Sequence, residues 1–433
     1  MLNLLTPLTL LNRHISRFRD LTLFWAKLRN LGNCQIGTCK LFLYNPVMIQ
    51  AIAIHGRQPA LGRAELESLY GADLLEPIGP AATGIDLDVR DIDFARLGGS
   101  VKLAKALTIL DSTDFPSAIK HLTENLPKHL HYIPDGKIQL GISLYGIHAS
   151  VRDINAAGLA IKKVIKAAGR SGRFIPNKDL TLNSAQVLHN HLTGPTGLEL
   201  LLLKQGNKTI LAQTKHEQDI EAYAARDQAR PKRDAKVGML PPKLAQIIIN
   251  LAKPEDGATV LDPFCGTGVV LQEALLMGYN TYGTDLDERM VEYSKANLEW
   301  LNISASDQRV EPGDALQKTW NPPFTTIAAE TYLGRPFSAE PESKVLQEVM
   351  QAVDTIHRKF LRNLANQTKP GFRACIAVPA WKTKNGFKHL EILDSLGEMG
   401  YTRMSFVHAS NEDLIYHREN QIVARELVVL IRK

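Results

Sequence analysis

No stretch of this 433-residue chain approaches the eighteen or so consecutive apolar residues that a membrane-spanning helix needs, so the sequence offers no such helix. Cysteine is scarce. The four residues, Cys34, Cys39, Cys265 and Cys375, show neither paired zinc-ligand spacing nor a disulfide framework, which leaves no metal site to expect and fits a reducing cytoplasm. A global positive field is also missing. The formal charge is +6, but residues 1–47 carry six basic side chains against Asp20 alone, so the remaining chain is left at +1. Any nucleic-acid site must then be a local patch. What remains is the composition of a globular chain, 44% hydrophobic and 22% charged, long enough for two or three domains.

The most informative stretch is Leu261-Asp262-Pro263-Phe264-Cys265-Gly266-Thr267-Gly268. The apolar run before it suits a buried parallel strand, and Val269 to Met277 has helical spacing, so a glycine turn joins strand to helix. Such a turn admits a ligand close to the backbone, and the helix start offers unpaired N–H groups to an anion. A second strand ends in Asp285, where a carboxylate can accept both hydroxyls of a ribose. The dinucleotide fingerprint fails here, because the third glycine position after Gly266 and Gly268 is Leu271.

The acid three residues before Cys-Gly-Thr-Gly resembles motif I of the class I methyltransferases that use S-adenosylmethionine, within the subset that methylates exocyclic amines of nucleic-acid bases. That resemblance implies cofactor contacts from Asp262, Phe264, Gly266, Gly268 and Asp285. It adds Asp314, because Gly313-Asp314-Ala315 is similar to motif III, whose acid meets the adenine amino group.

The first 47 residues are Leu-rich and nearly free of acids. They read as a mitochondrial-type targeting peptide, a membrane-surface helix, or, in the preferred reading, an atypical leader outside the fold with the true start at Met48. From 48 to 220 the pattern is α+β. A first small unit has a strand at Met48–Ile54, a helix near Gly62–Tyr70 and a turn at Leu97–Lys102. A second unit has a strand at Ile138–Tyr145 and a helix at Ala156–Ala168. This order, with its basic segment, resembles a THUMP RNA-binding domain and its ferredoxin-like companion, which makes Lys162, Lys163, Arg170 and Arg173 candidates for RNA contact. The other reading is an accessory domain whose lysines form a solvated face. Removing residues 48–220 would be expected to spare cofactor affinity while weakening tRNA binding.

Tyr223 to Asp234 reads as a charged linker, and Pro241 or Pro242 opens an apolar helix. Gly-Met-Leu-Pro-Pro-Lys with the following Ile-Asn-Leu-Ala closely resembles the segment preceding motif I in the THUMP-containing tRNA guanine-N2 methyltransferases of archaea and eukaryotes. In that family the segment lines the methionine end of the cofactor, a role that would fall to Pro241.

The fourth strand departs from the amine-methyltransferase pattern of an acid or Asn, two prolines and an aromatic. Asn321-Pro322-Pro323-Phe324 matches it literally but follows polar Gln317-Lys318-Thr319, a poor buried strand. Thr325–Ala329 is the better strand and ends in Glu330-Thr331-Tyr332, so Glu330 and Tyr332 are the catalytic candidates. The expected fold is α/β, a doubly wound seven-strand Rossmann-like methyltransferase sheet at 222–433 behind an α+β THUMP-like region. The expected activity is S-adenosylmethionine-dependent methyl transfer to an exocyclic base nitrogen of RNA, guanine N2 of tRNA above all. The rivals are a DNA amine methyltransferase and a catalytically silent RNA-binding protein. Whether a small activator subunit takes part stays open, and no membrane partner is expected.

Overall fold

Strands such as Ala51–His55 are buried along their whole length, and Gly197–Gln205 nearly so. Their apolar runs require cover on both faces. The computed structural model describes residues 47–234, 239–303, 308–321 and 323–433. The leader with Cys34 and Cys39 lies outside the described residues, apart from Val47, and so does Pro322 of the literal proline pair.

The amino-terminal sheet contains β1 (Ala51–His55), β2 (Leu75–Ile78), β3 (Ala82–Ile85), β4 (Ser100–Leu110), β5 (Ile138–Tyr145), β6 (Gly172–Phe174), β7 (Gly197–Gln205) and β8 (Lys208–Glu217). Their order is β2-β3-β1-β4-β8-β7-β5-β6. The two small units expected from local pattern therefore share one sheet, because β4 pairs antiparallel with β8. The turn expected at 97–102 is shorter, since β4 begins at Ser100. Helices α1 (Pro59–Tyr70), α2 (Phe115–His129), α3 (Val151–Ala167) and α4 (Ser184–His189) cover this region. A capping box between Ser150 and Asp153 starts α3.

The expected linker opens as a helix, α5 (Ile220–Gln228), which Asp219 caps by accepting from the Ala222 N–H at 2.9 Å. Next come α6 (Pro242–Ala252), β9 (Thr259–Asp262), α7 (Val269–Leu276), β10 (Asn280–Asp285), α8 (Glu288–Leu301), β11 (Gln308–Pro312), β12 (Thr326–Glu330) and α9 (Ser343–Ala365). The chain closes with β13 (Arg373–Thr383), β14 (Gly386–Lys388), β15 (Tyr401–Arg403), β16 (Ile415–Tyr416) and β17 (Val423–Arg432). The second sheet runs β11-β10-β9-β12-β13-β17-β15, with β14 added to β13 and β16 to β17. Seven strands form the expected doubly wound path, and the two short ones extend it. Strands β9 to β13 are parallel and β17 is antiparallel. Strand order reverses between β9 and β12, which opens a crevice beyond their carboxyl ends.

The two sheets are not separable in the way the sequence suggests. Leu61 and Ala64 of α1 belong to the same apolar cluster as Leu244, Ala245 and Ile248 of α6. Glu65, fully buried, accepts from the Gly98 and Gly99 N–H groups at 2.9 Å and from Asn250 Nδ2 at 2.8 Å. Glu67 accepts from the backbone of Val407 and His408, and Arg373 donates to Ser68 Oγ. Cutting at 220 would expose this shared core, so residues 48–220 cannot be removed without cost to the second sheet.

Burial pushes the Glu65 carboxyl up to about 7, against its three hydrogen bonds. Because the folded value lies above the unfolded one, the protonated form favours folding, and that stability is lost as pH rises from about 4.5 through 7. The integral for this one group is about 3 kcal/mol. Relative to wild type, Glu65→Gln is expected to gain stability across that window when denaturant unfolding is measured at both ends. A constant difference would show that Glu65 titrates normally.

Candidate functional site

The crevice at the strand reversal is an open cleft of about 1180 Å³. That exceeds the ~300–1,000 Å³ typical of a single small-ligand pocket, so a cofactor and a second group can share it. Its floor is the turn after β9. Gly266 has φ +51° and a clear space beside its Cα, so a side chain there would fill the cradle. Asp285, the last residue of β10, is held by the Gly266 N–H at 2.9 Å and the Asp287 N–H at 3.0 Å. Asp314 accepts from the Leu316 N–H at 2.9 Å in its own turn. Phe264 stacks edge-on against Phe360, with ring centroids 5.1 Å apart.

The structure brings Asp262, Phe264, Gly266, Asp285, Asp314, Glu330 and Tyr332 to this cleft. Gly268 and Pro241, two of the expected cofactor contacts, are not among the residues that line it. Gly268 has φ +83°, and a Cβ there would meet Ser294 Oγ at 2.4 Å, so it serves the turn and the approach of α8. Pro241 is the N-cap of α6, and the wall at that point is Met239 and Leu240. Strand β12 ends at Glu330, whereas Asn321 lies before that strand, at its opposite end, where its carbonyl accepts from Arg309.

Six carboxylates, Asp234, Asp262, Asp285, Asp287, Asp314 and Glu330, face Arg335 and Arg425 among the described lining residues. Burial pushes the Asp262 carboxyl well above the usual range, and the charges of Asp285 and Glu330 push it further. Burial raises Asp285 as well, opposed by its backbone hydrogen bonds. Burial also raises Glu330, opposed by its ion pair with Arg425. An excess of crowded carboxylates favours a cationic ligand with hydroxyl donors. Burial raises the Cys265 thiol, which removes it as a nucleophile.

Several of these features are not apparent from sequence patterns. Asn297 on α8 donates to the carbonyls of Lys232 at 2.9 Å and Thr267 at 2.8 Å, and accepts from the Lys232 N–H. Asp234 pairs with Arg289 at 3.1 Å. Together they strap the segment after α5 beside the cleft. Arg425 had a signal, since Arg425-Glu426 interrupts an otherwise apolar closing strand. The RNA candidates lie elsewhere. Lys162 and Lys163 are exposed on α3 and Arg173 on β6, but Arg170 donates to the carbonyls of Leu130, Ile133 and Pro134, so it fixes a loop.

The sheet order and the crevice define the Rossmann-like methyltransferase fold. The crystal structure of TrmN from Thermus thermophilus superposes with a TM-score of 0.51 at 18% identity, over 89% of this chain and all of that one. Residues 230–389 match the family model described as RMKL-like, methyltransferase domain. The tRNA (guanine(10)-N2)-dimethyltransferase of Methanothermobacter thermautotrophicus is 33% identical over 155 residues, 35% of this chain and 43% of that protein. The enzyme of the same description from Pyrococcus abyssi is 31% identical over 161 residues, 36% of this chain and 43% of its own. The match thus spans about two fifths of the length of these curated relatives.

Replacing Asn297 with alanine removes its three hydrogen bonds to the Lys232 and Thr267 backbone, which are part-buried, at a cost of about 1 kcal/mol each at most. Asn297→Ala is expected to lower the melting temperature and to speed limited proteolysis between Gln228 and Asp234. An unchanged cleavage pattern would mean that the strap is held without it.

Proposed function

We propose that this chain is an S-adenosylmethionine-dependent RNA methyltransferase acting on an exocyclic base nitrogen, guanine N2 of tRNA in particular. The observation that carries the reading is the meeting of two ends in one cleft: the Gly266 turn with Asp285 and Asp314 on one side, Glu330 and Tyr332 on the other. The residues fit the cofactor. Asp285, an acceptor-only carboxylate fixed by two N–H groups, suits a ribose diol, and the acid excess around Asp262 suits a ligand bearing an ammonium and a sulfonium. The cofactor, when bound, supplies an electrophilic methyl on sulfur.

The remaining chemistry falls to the chain's own residues. An exocyclic amine is a weak nucleophile because its lone pair is delocalised into the ring, and an acceptor at its N–H strengthens it. Glu330 is that acceptor, and the half-exposed Tyr332 offers a flat face to a base drawn out of its stack. An acidic cleft repels phosphates, so the RNA backbone must lie outside it. Lys162, Lys163 and Arg173 of the amino-terminal region, read as THUMP-like, supply countercharge there. The names of the curated relatives support tRNA over DNA. The described cysteines are free and buried, in keeping with a reducing cytoplasm. Labelled methyl transfer to total tRNA and to DNA tests the reading; cofactor binding without transfer would instead make the chain a silent RNA-binding protein.

Two variants separate the ends of the site. Asp285→Ala should weaken S-adenosylmethionine binding by about 1–3 kcal/mol, as lost hydrogen bonds to a charged group require, and calorimetry showing equal affinity would remove Asp285 from the cofactor site. Glu330→Ala should keep cofactor affinity and cut methyl transfer by roughly a hundredfold or more, while Asn321→Ala should do little. The reverse pattern would restore the literal proline motif as the acceptor loop.

A further inference from the structure

Resting on the methyltransferase reading, we propose that Arg425 is the positioning residue of the acceptor end, holding the Glu330 carboxylate ionised and aimed into the cleft. Glu330 stands opposite Ala377 on one side of β13, and Arg425 stands opposite Pro379 on the other. Ala377 and Pro379 are two apart and so share a face of the sheet. The Arg425 side chain crosses β13 along that face, where neither residue is large, and its Nε donates to Glu330 Oε1. Both side chains are largely buried. A buried carboxylate without a partner protonates rather than staying charged, and a protonated Glu330 donates where an acceptor is needed.

Burial works against ionisation of Glu330. Asp262 of β9 feels the charge of Glu330, and Asp285 of β10 and Asp314, beyond β11, line the same cleft. Arg335, on the loop after β12, also lines the cleft, and its guanidinium lies over Phe337 at 5.1 Å. His357 of α9, hydrogen-bonded to Thr331 and to the Val353 carbonyl, is kept neutral by burial. Arg425 is therefore the counter-ion in contact with Glu330, supplied by a closing strand that is not adjacent to β12.

The test compares Arg425→Met, Arg425→Lys, Glu330→Gln and the double variant Glu330→Gln/Arg425→Met. Four readouts apply: melting temperature, cofactor affinity by calorimetry, the pH profile of methyl transfer to unmodified tRNA, and the carboxylic-acid infrared band that Glu330→Gln abolishes. Arg425→Met is expected to keep cofactor affinity, to reduce kcat on the order of a hundredfold at neutral pH, and to move the acid limb of the profile upward. Arg425→Lys should recover part of both effects. In the Glu330→Gln background, Arg425→Met should cost little more, because the double variant leaves no unpaired charge and folds even if the single one does not. A further large loss in that background, or an acid limb unmoved by Arg425→Met, overturns the proposal. If the wild type transfers no methyl, the enzymatic reading fails by itself, and the infrared titration still decides. An acid band present at neutral pH in Arg425→Met but absent in wild type supports the pairing, and its absence from both refutes it.

Discussion

Everything at the functional edge follows from the crowding of carboxylates where the parallel strands end. Asp262, Asp285 and Glu330 leave β9, β10 and β12 on either side of the strand reversal, and burial works against each of them. Backbone N–H groups satisfy Asp285, and one guanidinium satisfies Glu330. Asp262 has the Phe264 N–H at 3.1 Å and two like charges nearby. A site built this way is unfavourable when empty and is relieved by positive charge, which gives the cleft a preference before any shape is considered.

That arrangement depends on rigidity behind it. Helix α6 is buried almost all round, packed between the second sheet and α1 of the first. Glu65 accepts from Asn250, Glu67 from the Val407 N–H, and Arg373 donates to Ser68, so hydrogen bonds tie the two halves across the seam. The amino-terminal sheet is therefore part of the scaffold that holds the cleft, and its basic faces stand in a fixed relation to it. A separate module on a linker would not have that property.

The division of the cleft also accounts for the unusual fourth strand. Without paired prolines after β12, the loop Thr331–Phe337 is held by Thr331, which bonds to Ala377 and His357. The Glu330 carboxylate is held from a different strand, by Arg425 of β17. The position and charge of this loop are thus supplied by tertiary contacts.

Local signals were enough for the strand, turn and helix around Gly266, for β10 ending at Asp285, and for β12 ending at Glu330. Each depends on apolar runs, glycine conformations and the cost of burying polar residues within a few positions. The same signals could not say that Gly268 faces Ser294, that Arg170 is bound to a loop, or that α5 begins the expected linker. Those outcomes rest on which distant surfaces meet. Pairing of β4 with β8, the shared core of α1 and α6, and the reach of Arg425 across β13 were decided only in the folded chain. Their partners lie tens to hundreds of residues apart, and no periodicity records which buried charge will stand beside which.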